Sequence, residues 1–242
     1  MLVCAPSHAA CDAAVLCLAA HWPGGAGDSL VRLGSLERLT SREVEQFLPA
    51  RGAREEGDTP LARARADLQS AEKKVVSLQS QLLEGGRGRG EVQEQEQAAV
   101  ARASASYREL EETAVAGASV VVCTLMTAAR GWLLRRLSDG ELGLLCVDEA
   151  GQTLDSGLLP VLARARRLVL AGDHLQLPPT VLSREGVSRG LATSLLERLA
   201  LARPGSVSLL STQYRSHPRI AAWSSEYFYG GKVRAAAGLE DR

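Results

Sequence analysis

Two adjacent carboxylates, Asp148 and Glu149, directly follow an apolar run over residues 142–147 that only Gly143 interrupts. Such a run predicts a buried strand, and the carboxyl end of a parallel strand is where α/β sheets bind ligands. The residue types would allow Asp148 to bind Mg²⁺ and Glu149 to orient or deprotonate a water. A solvated turn after a strand is the alternative interpretation of this pair.

A second apolar run with a polar end follows over residues 168–179, where Gly172, Asp173 and His174 succeed the apolar residues. The two runs lie about two dozen residues apart, a spacing that suits adjacent parallel strands joined by a crossover. This spacing favours a ligand site over a solvated turn.

The elements predicted around these runs alternate between strands and helices. Strands are expected over residues 1–5, 30–34, 118–124, 142–147, 168–171 and 206–212, and helices over 9–20, 126–137, 156–166 and 191–201. Ser7 is the expected N-cap of the first helix. The order β-α-β, insertion, β-α-β-α-β indicates an α/β sheet with parallel strands.

An inserted helical hairpin is predicted between the second and third strands, over about residues 55–116. Its first arm carries an apolar heptad, and its second arm carries an apolar stripe, formed by Leu61, Leu68, Val75 and Leu82 and by Val100, Ala103, Tyr107, Leu110 and Ala114 respectively. Glycines and arginines over residues 85–90 separate the arms. A purely structural insertion and a binding element for a protein partner are the two interpretations.

Composition and charge restrict the class of protein only loosely. The chain has 242 residues with 45% hydrophobic content, enough for one large domain or two small ones. Basic and acidic side chains balance at 28 each, so net charge argues neither for nor against a nucleic-acid partner. The five cysteines show no ligand spacing and are expected to be reduced, in the cytoplasm and/or nucleus. No stretch is long and apolar enough to predict a membrane span.

Four blocks in order make the chain resemble the superfamily 1 nucleic-acid helicases, in the branch that includes the nonsense-mediated-decay and immunoglobulin-mu-binding helicases. Residues 2–12, 147–152, 170–179 and 210–218 are similar to motifs Ia, II, III and IV of that family. The resemblance covers most of the chain outside the predicted hairpin. It implies an α/β RecA-like sheet of the P-loop NTPase type, with residues 1–205 in a first domain and 206–242 starting a second.

The resemblance assigns chemical roles to two groups of residues. Asp148 would bind Mg²⁺, Glu149 would position the attacking water, Gln176 would sense the γ-phosphate of ATP, and Arg215 would reach that phosphate. The residues expected to complete the ATP network are Gln152, Asp173 and Gln213. For Asp173 and His174 the alternative is a loop-shaping role, and His217 is expected to cap or pack a turn.

The resemblance also implies a single-stranded DNA or RNA partner. Pro6, Ser7 and Thr124 lie where the family contacts the sugar-phosphate backbone, a contact that small hydroxyls and N–H groups can make without reading sequence. His8 stands where the motif usually has Asn.

A Gly-x-x-x-x-Gly-Lys-Ser/Thr loop, which would cradle the phosphates of ATP, is absent from the sequence. In the family this loop precedes motif Ia, and motifs V and VI follow the segment matched here. We therefore expect an internal fragment or a truncated gene product that neither hydrolyses ATP nor unwinds duplexes alone.

Three functions remain open from the sequence. The first is an ATP-dependent 5′-to-3′ helicase or translocase, represented by part of its motor. The second is a degenerate, non-enzymatic module that binds nucleic acid or a protein. The third is a P-loop ATPase outside the helicases, which the long motif III and the Gln-Tyr-Arg block at residues 213–215 disfavour.

Overall fold

The computed structural model describes residues 1–22, 29–34, 39–49, 89–137 and 142–240, together with the helical residues 66, 70, 73, 74, 76 and 77. The chain forms two compact units. The first comprises Met1–Glu149 and Asp155–Ala171, and the second comprises Ala150–Leu154 and Gly172–Arg242. Neither unit has a boundary at residue 205, and the predicted division between two RecA-like domains there stays a prediction.

A five-stranded parallel sheet forms the centre of the first unit. Its strands are β1 (Leu2–Ala5), β2 (Leu30–Arg32), β3 (Val120–Thr124), β4 (Leu145–Val147) and β5 (Leu168–Leu170), in the spatial order β2-β3-β1-β4-β5. Strand β3 is buried almost throughout, which explains why its first four residues read as a continuous apolar run without alternation. Strand β2 is also buried, but its two apolar residues are followed by Arg32. The predicted parallel α/β fold is confirmed, although β4 begins three residues later than expected.

The first unit also contains five α-helices whose bounds lie among its described residues. They are α1 (His8–His21), α2 (Arg89–Gly117), α3 (Leu125–Ala128), α4 (Gly131–Arg136) and α5 (Asp155–Leu162), with a 3-10 helix at Arg42–Phe47. The predicted single helix over 126–137 is therefore wrong. It is split because Arg130 adopts an extended backbone with ψ of 134° and starts a new helix at Gly131.

A small core lies between α1 and the sheet. It includes Cys11 and Val15 of α1, Val122 of β3, and Val44 and Phe47 of the 3-10 helix. The 3-10 helix falls in a polar segment that the sequence left unassigned. The sequence signals for it were two apolar residues three positions apart and Ser41, which caps the helix by accepting from the Glu43 N–H.

The second arm of the predicted insertion is confirmed as α2, in which Leu110 is fully buried. The heptad residues Leu61, Leu68, Val75 and Leu82 lie outside the described residues, as do residues 85–88 of the predicted turn. The end of the turn prediction is wrong, because Arg89 and Gly90 already belong to α2. The pairing of two arms into a hairpin therefore stays a prediction. Among the described helices, none is long and apolar enough to cross a bilayer.

The second unit contains shorter elements. They are a 3-10 turn at Ala150–Gln152, α6 (Arg184–Ser188), α7 (Leu195–Ala202), a 3-10 turn at Pro204–Ser206, β6 (Thr212–Gln213), α8 (Pro218–Tyr229) and β7 (Arg234–Ala235). The predicted strand over 206–212 is wrong for most of its length. Only β6 pairs, in parallel with the two-residue β7, so exposed Leu209 and Leu210 have no strand beside them in the described part of this unit.

Candidate functional site

The carboxyl ends of the strands meet at one edge of the sheet in the first unit. Ala5 pairs with Thr124, Cys4 pairs with Val147, and Val147 pairs with Leu170. Residues that directly follow β1, end β3 or directly follow β4 therefore share this edge. They are the predicted site residues Pro6, Ser7, Thr124, Asp148 and Glu149.

The carboxylate pair forms a tight turn at this edge. The Asp148 N–H donates to the carbonyl of Cys4 at 2.8 Å, and Asp148 Oδ1 accepts from the Glu149 N–H at 3.0 Å. Both side chains are exposed. Glu149 has φ of +52° and is the one residue other than glycine with a positive φ in the described part of the chain. Because this conformation is costly for a residue with a Cβ, it favours a functional turn over a merely solvated one.

The donor chemistry of the turn fits Mg²⁺ bound together with a nucleotide. Among the described residues, no group of three or more His, Cys, Asp or Glu side chains could hold a metal ion. Mg²⁺ commonly uses only one or two carboxylates and takes its other ligands from waters and substrate phosphates. The exposed carboxylate of Asp148 can serve as such a ligand.

Two hydroxyls at the same edge cap helices. Ser7 Oγ accepts from the Ala10 N–H at 3.1 Å at the start of α1. Thr124 Oγ1 accepts from the Thr127 N–H at 3.3 Å at the start of α3 and lies 3.1 Å from Thr127 Oγ1. A cap uses an acceptor lone pair of the hydroxyl, so the Ser7 O–H can still donate to a phosphate oxygen.

A buried ion pair, which the sequence reading missed, lies behind this edge. Arg32 at the end of β2 and Asp12 of α1 are both buried, and their Nε and Oδ1 atoms are 2.9 Å apart. The Arg32 Nη2 atom also lies 3.1 Å from His8 Nδ1. A charged residue ending an apolar strand was the sequence signal that could have identified it.

In the second unit, Asp173 collects three hydrogen bonds. Its Oδ2 accepts from Gln176 Nε2 at 2.8 Å and from the Tyr229 hydroxyl, and its Oδ1 accepts from the Leu175 N–H at 3.0 Å. Burial acts to raise the pKa of Asp173, but the bonds from Tyr229, Gln176 and Leu175 outweigh it and the pKa is lowered. The structure thus joins two predicted site residues, Asp173 and Gln176, and adds Tyr229.

Gly151 packs tightly against the same loop. A Cβ at this position would lie 2.8 Å from the carbonyl oxygen of Asp173, so only glycine fits without movement. The next residue, Gln152, ends the 3-10 turn with an exposed side chain. Gly151 therefore fixes the spacing between this turn and the Asp173 loop.

Gln213 shapes the turn that presents Arg215. Its Oε1 accepts from the backbone N–H groups of Arg215 and Ser216, both at 2.8 Å, and its Nε2 donates to the Ser216 carbonyl at 2.6 Å. The Arg215 side chain is exposed. His217 caps α8 by accepting from the Arg219 N–H at 3.1 Å, which confirms its predicted capping role.

Comparison with protein families decides the identity of the fold. Residues 1–184, which are most of the chain, match a family model described as an AAA domain, and residues 191–242 match a second model with the same description. The chain belongs to the AAA-domain family. Its five-stranded parallel sheet agrees with the predicted RecA-like fold.

The similarity of this AAA-domain chain to curated relatives narrows the family further. It is 31% identical over 240 residues to the DNA-binding protein SMUBP-2 of Mesocricetus auratus, covering 97% of the chain and 23% of the relative. It is 35% identical over 143 residues to the regulator of nonsense transcripts 1 homolog of Drosophila melanogaster, covering 56% and 12%. It is 29% identical over 277 residues to the probable helicase senataxin of Mus musculus, covering 97% and 10%.

These matches confirm the resemblance to the superfamily 1 helicases, so the chain is a motor region of that type. It spans less than a quarter of the length of the SMUBP-2 relative.

Proposed function

We propose that the chain is part of the ATP-hydrolysing motor of a superfamily 1 helicase or translocase that moves along single-stranded nucleic acid. The observation that carries this proposal is the register of the sheet, which aligns the carboxylate turn after β4 with the hydroxyl-bearing turns that follow β1 and end β3. ATP chemistry and strand contact would then share one edge of the first unit.

For ATP hydrolysis, we assign Asp148 as the Mg²⁺ ligand and Glu149 as the group that orients the attacking water. The bound metal would neutralise charge on the phosphate oxygens. The positive φ of Glu149 supports this assignment, because a strained backbone restricts the direction of the side chain.

Two exposed side chains of the second unit are suited to the terminal phosphate. The Gln176 amide donates to Asp173 and can exchange that bond for one to a phosphate oxygen. Arg215 carries a permanent charge and a planar fork of donors that matches phosphate geometry. We assign Gln152, Asp173 and Gln213 to the supporting network; Gln213 would act by holding the Arg215 turn.

For the nucleic acid, we propose that Pro6, Ser7 and Thr124 contact the backbone of a single strand. Hydroxyls at helix starts hold phosphates without reading bases, which suits a motor that must pass every sequence. The name of one relative, DNA-binding protein SMUBP-2, supports a nucleic-acid partner. Parallel binding assays with DNA and RNA oligonucleotides would establish which strand is preferred.

The decisive experiment measures strand-stimulated ATP hydrolysis by a chimera that supplies the family's P-loop ahead of Met1 and the family's motifs V and VI after Arg242. We expect Glu149→Gln to retain ATP binding and to lower turnover by about 10²-fold or more, the range typical of a positioned general base. Glu185→Gln is the matched control, because Glu185 forms an ion pair with Arg189 in which both side chains are more than two-thirds exposed (71% and 78%). Equal turnover by Glu149→Gln and the unmutated chimera would remove Glu149 from the mechanism.

A non-enzymatic strand-binding or protein-binding module is the second candidate. It is favoured by the hydroxyls of Ser7 and Thr124 at helix starts, which could hold phosphates of a strand without any ATP chemistry. This candidate predicts salt-dependent strand binding by the 242-residue chain together with a chimera that does not hydrolyse ATP. Hydrolysis by the chimera would exclude it.

A further inference from the structure

Arg32 is a fully buried cation that joins the end of β2 to the first turns of α1. Its Nε donates to Asp12 Oδ1 at 2.9 Å, and its Nη1 donates to the Leu33 carbonyl at 2.8 Å. Its Nη2 donates to the His8 carbonyl at 3.3 Å and lies 3.1 Å from His8 Nδ1. A buried charge is tolerated only when it is paired and hydrogen-bonded, so movement of these acceptors away from the guanidinium is costly.

Asp12 extends this connection to a further segment. While Oδ1 accepts from Arg32, its Oδ2 accepts from the backbone N–H and the hydroxyl of Thr40, at 2.7 Å and 2.8 Å. The carboxylate therefore receives three donors. Both Asp12 and His8 belong to α1, so the pair fixes the beginning of this helix against β2 and Thr40.

The part of α1 that Arg32 holds is the part that would contact the strand. His8 is the first residue of α1 and directly follows Ser7, whose hydroxyl caps the helix. Arg32 binds both the backbone and the side chain of His8. A shift of the guanidinium would therefore displace the turn that carries Pro6 and Ser7.

The inserted helix α2 contacts the segment that directly follows Arg32 and Leu33. The Tyr107 hydroxyl donates to the Gly34 carbonyl at 2.6 Å. A Cβ at Gly34 would lie 1.8 Å from Arg32 Nη1. Any residue other than glycine at position 34 would therefore clash with the guanidinium. Burial, followed by the nearby Glu111 charge, raises the pKa of Tyr107 to about 12, so its hydroxyl remains a donor at neutral pH.

We propose that Arg32 is a positioning residue for the strand-binding edge, and that Tyr107 of the inserted helix holds the Gly34 loop against it. The inference rests on the proposed function of Pro6 and Ser7. By this inference the inserted helix affects the affinity for the strand indirectly, by holding the start of α1 in place, and does not itself contact the nucleic acid.

The test uses the 242-residue chain and a fluorescein-labelled oligothymidine of about 20 nucleotides, followed by anisotropy over a salt series. We expect Tyr107→Phe to raise Kd about 2- to 10-fold, the effect of one lost hydrogen bond. The slope of log affinity against log salt should not change, because no phosphate contact is removed. Tyr227→Phe is the control, since Tyr227 is 71% exposed in the second unit.

Amide hydrogen exchange distinguishes positioning from general destabilisation. In Tyr107→Phe, exchange should accelerate at Ala10 and Cys11, whose N–H groups bond to Ser7, while amides of the second unit keep their wild-type rates. Thr40→Val removes the hydroxyl that donates to Asp12 Oδ2. It should likewise raise Kd and accelerate amide exchange at Ala10 and Cys11. It serves as the second variant if Tyr107→Phe does not fold.

The outcomes separate this inference from the proposed function. Wild-type binding with an unaltered Kd in both variants would overturn the inference alone, as would weaker binding without faster exchange in α1 or with a changed salt slope. Absence of wild-type binding at low salt would overturn the proposed strand-binding function and, with it, the inference.

Discussion

Tyr229 donates a hydrogen bond from its hydroxyl to Oδ2 of Asp173, which precedes it by 56 residues. Tyr229 is the last residue of α8, the helix that follows the Arg215 turn, whereas Asp173 also receives the Gln176 amide. The bond therefore links the helix after the proposed arginine to the loop of the proposed phosphate sensor. Both residues lie within the second unit.

Tyr229→Phe should destabilise the chain by about 1 kcal/mol, because it removes one donor from a partly buried carboxylate and leaves the ring in place. The loss is measured by urea unfolding at pH 7. Tyr227→Phe, which removes an exposed hydroxyl from the same helix, should change the unfolding free energy by less. Equal effects of the two variants would contradict the importance of the Asp173 bond.

The same bond predicts that the stability of the chain decreases at both low and high pH. The pKa of Asp173 is lowered from 3.8, so its contribution is present above about pH 4 and is lost as the pH falls through the lowered value. Burial and then the Asp173 bond raise the pKa of Tyr229 above 10.0, so the contribution is also lost as the pH rises through that value. The stability difference between wild type and Tyr229→Phe should therefore be largest between these limits and shrink outside them.

Glu111→Gln should stabilise the chain at neutral pH. The Glu111 side chain is only 2% exposed, and Arg130 lies 3.5 Å from its Oε2. Among the residues that the structure describes, none forms a hydrogen bond with Glu111 Oε1. Burial raises the pKa of Glu111 above 4.5, and Arg130 offsets this only in part. The folded state thus favours the protonated form, which contributes stability below pH 4.5 that is lost as the pH rises through the raised pKa.

The gain from Glu111→Gln should be on the order of 1 kcal/mol at pH 7 and should vanish toward pH 4.5. Thermal unfolding at several pH values measures it. Glu112→Gln is the matched control, because Glu112 is exposed on the same helix. A destabilised Glu111→Gln at neutral pH would indicate that the pair with Arg130 outweighs the cost of burial.

Gly151→Ala should destabilise the second unit by about 1–3 kcal/mol, because the new Cβ would meet the Asp173 carbonyl at 2.8 Å and backbone must move. Gly157→Ala is the opposite control. Gly157 lies in α5, and no described residue comes within 4 Å of its Cβ position, so the substitution should stabilise by about 0.5–1 kcal/mol. Denaturant unfolding of both variants tests the pair, and equal signs would contradict the packing described for Gly151.

The sequence could predict the sheet and its polar edge because both depend on local pattern. Apolar runs gave β1 to β5, and the residues after them gave Pro6, Ser7 and the carboxylate turn. The partners of buried polar groups could not be predicted in this way. Asp12 lies 20 residues from Arg32, and nothing near either residue specifies the other.

The wrong strand over 206–212 has a similar physical cause. An apolar run indicates that a segment is buried, but a strand also needs a neighbouring strand with which to form hydrogen bonds. In the described part of the second unit that neighbour is β7, which reaches only Thr212 and Gln213. The positive φ of Glu149 was equally hidden, because glutamate carries no local signal for that conformation.

His8→Asn should be close to neutral, whereas His8→Ala should be destabilising. Arg32 offers only donors, so His8 Nδ1 must accept from Nη2 across their 3.1 Å contact. An asparagine, the residue usual in the family motif, has a side-chain oxygen that can accept the same bond. Alanine leaves a buried guanidinium donor without its acceptor, at a cost of about 1–3 kcal/mol.

Urea unfolding of the two His8 variants measures this difference. The bond from Arg32 to the His8 carbonyl remains in both, so the comparison isolates the side-chain acceptor. A loss in His8→Asn as large as in His8→Ala would mean that imidazole packing stabilises α1, rather than the bond to Arg32. A larger loss of stability in His8→Ala than in His8→Asn would instead explain how histidine can replace asparagine here without displacing the first turn of α1.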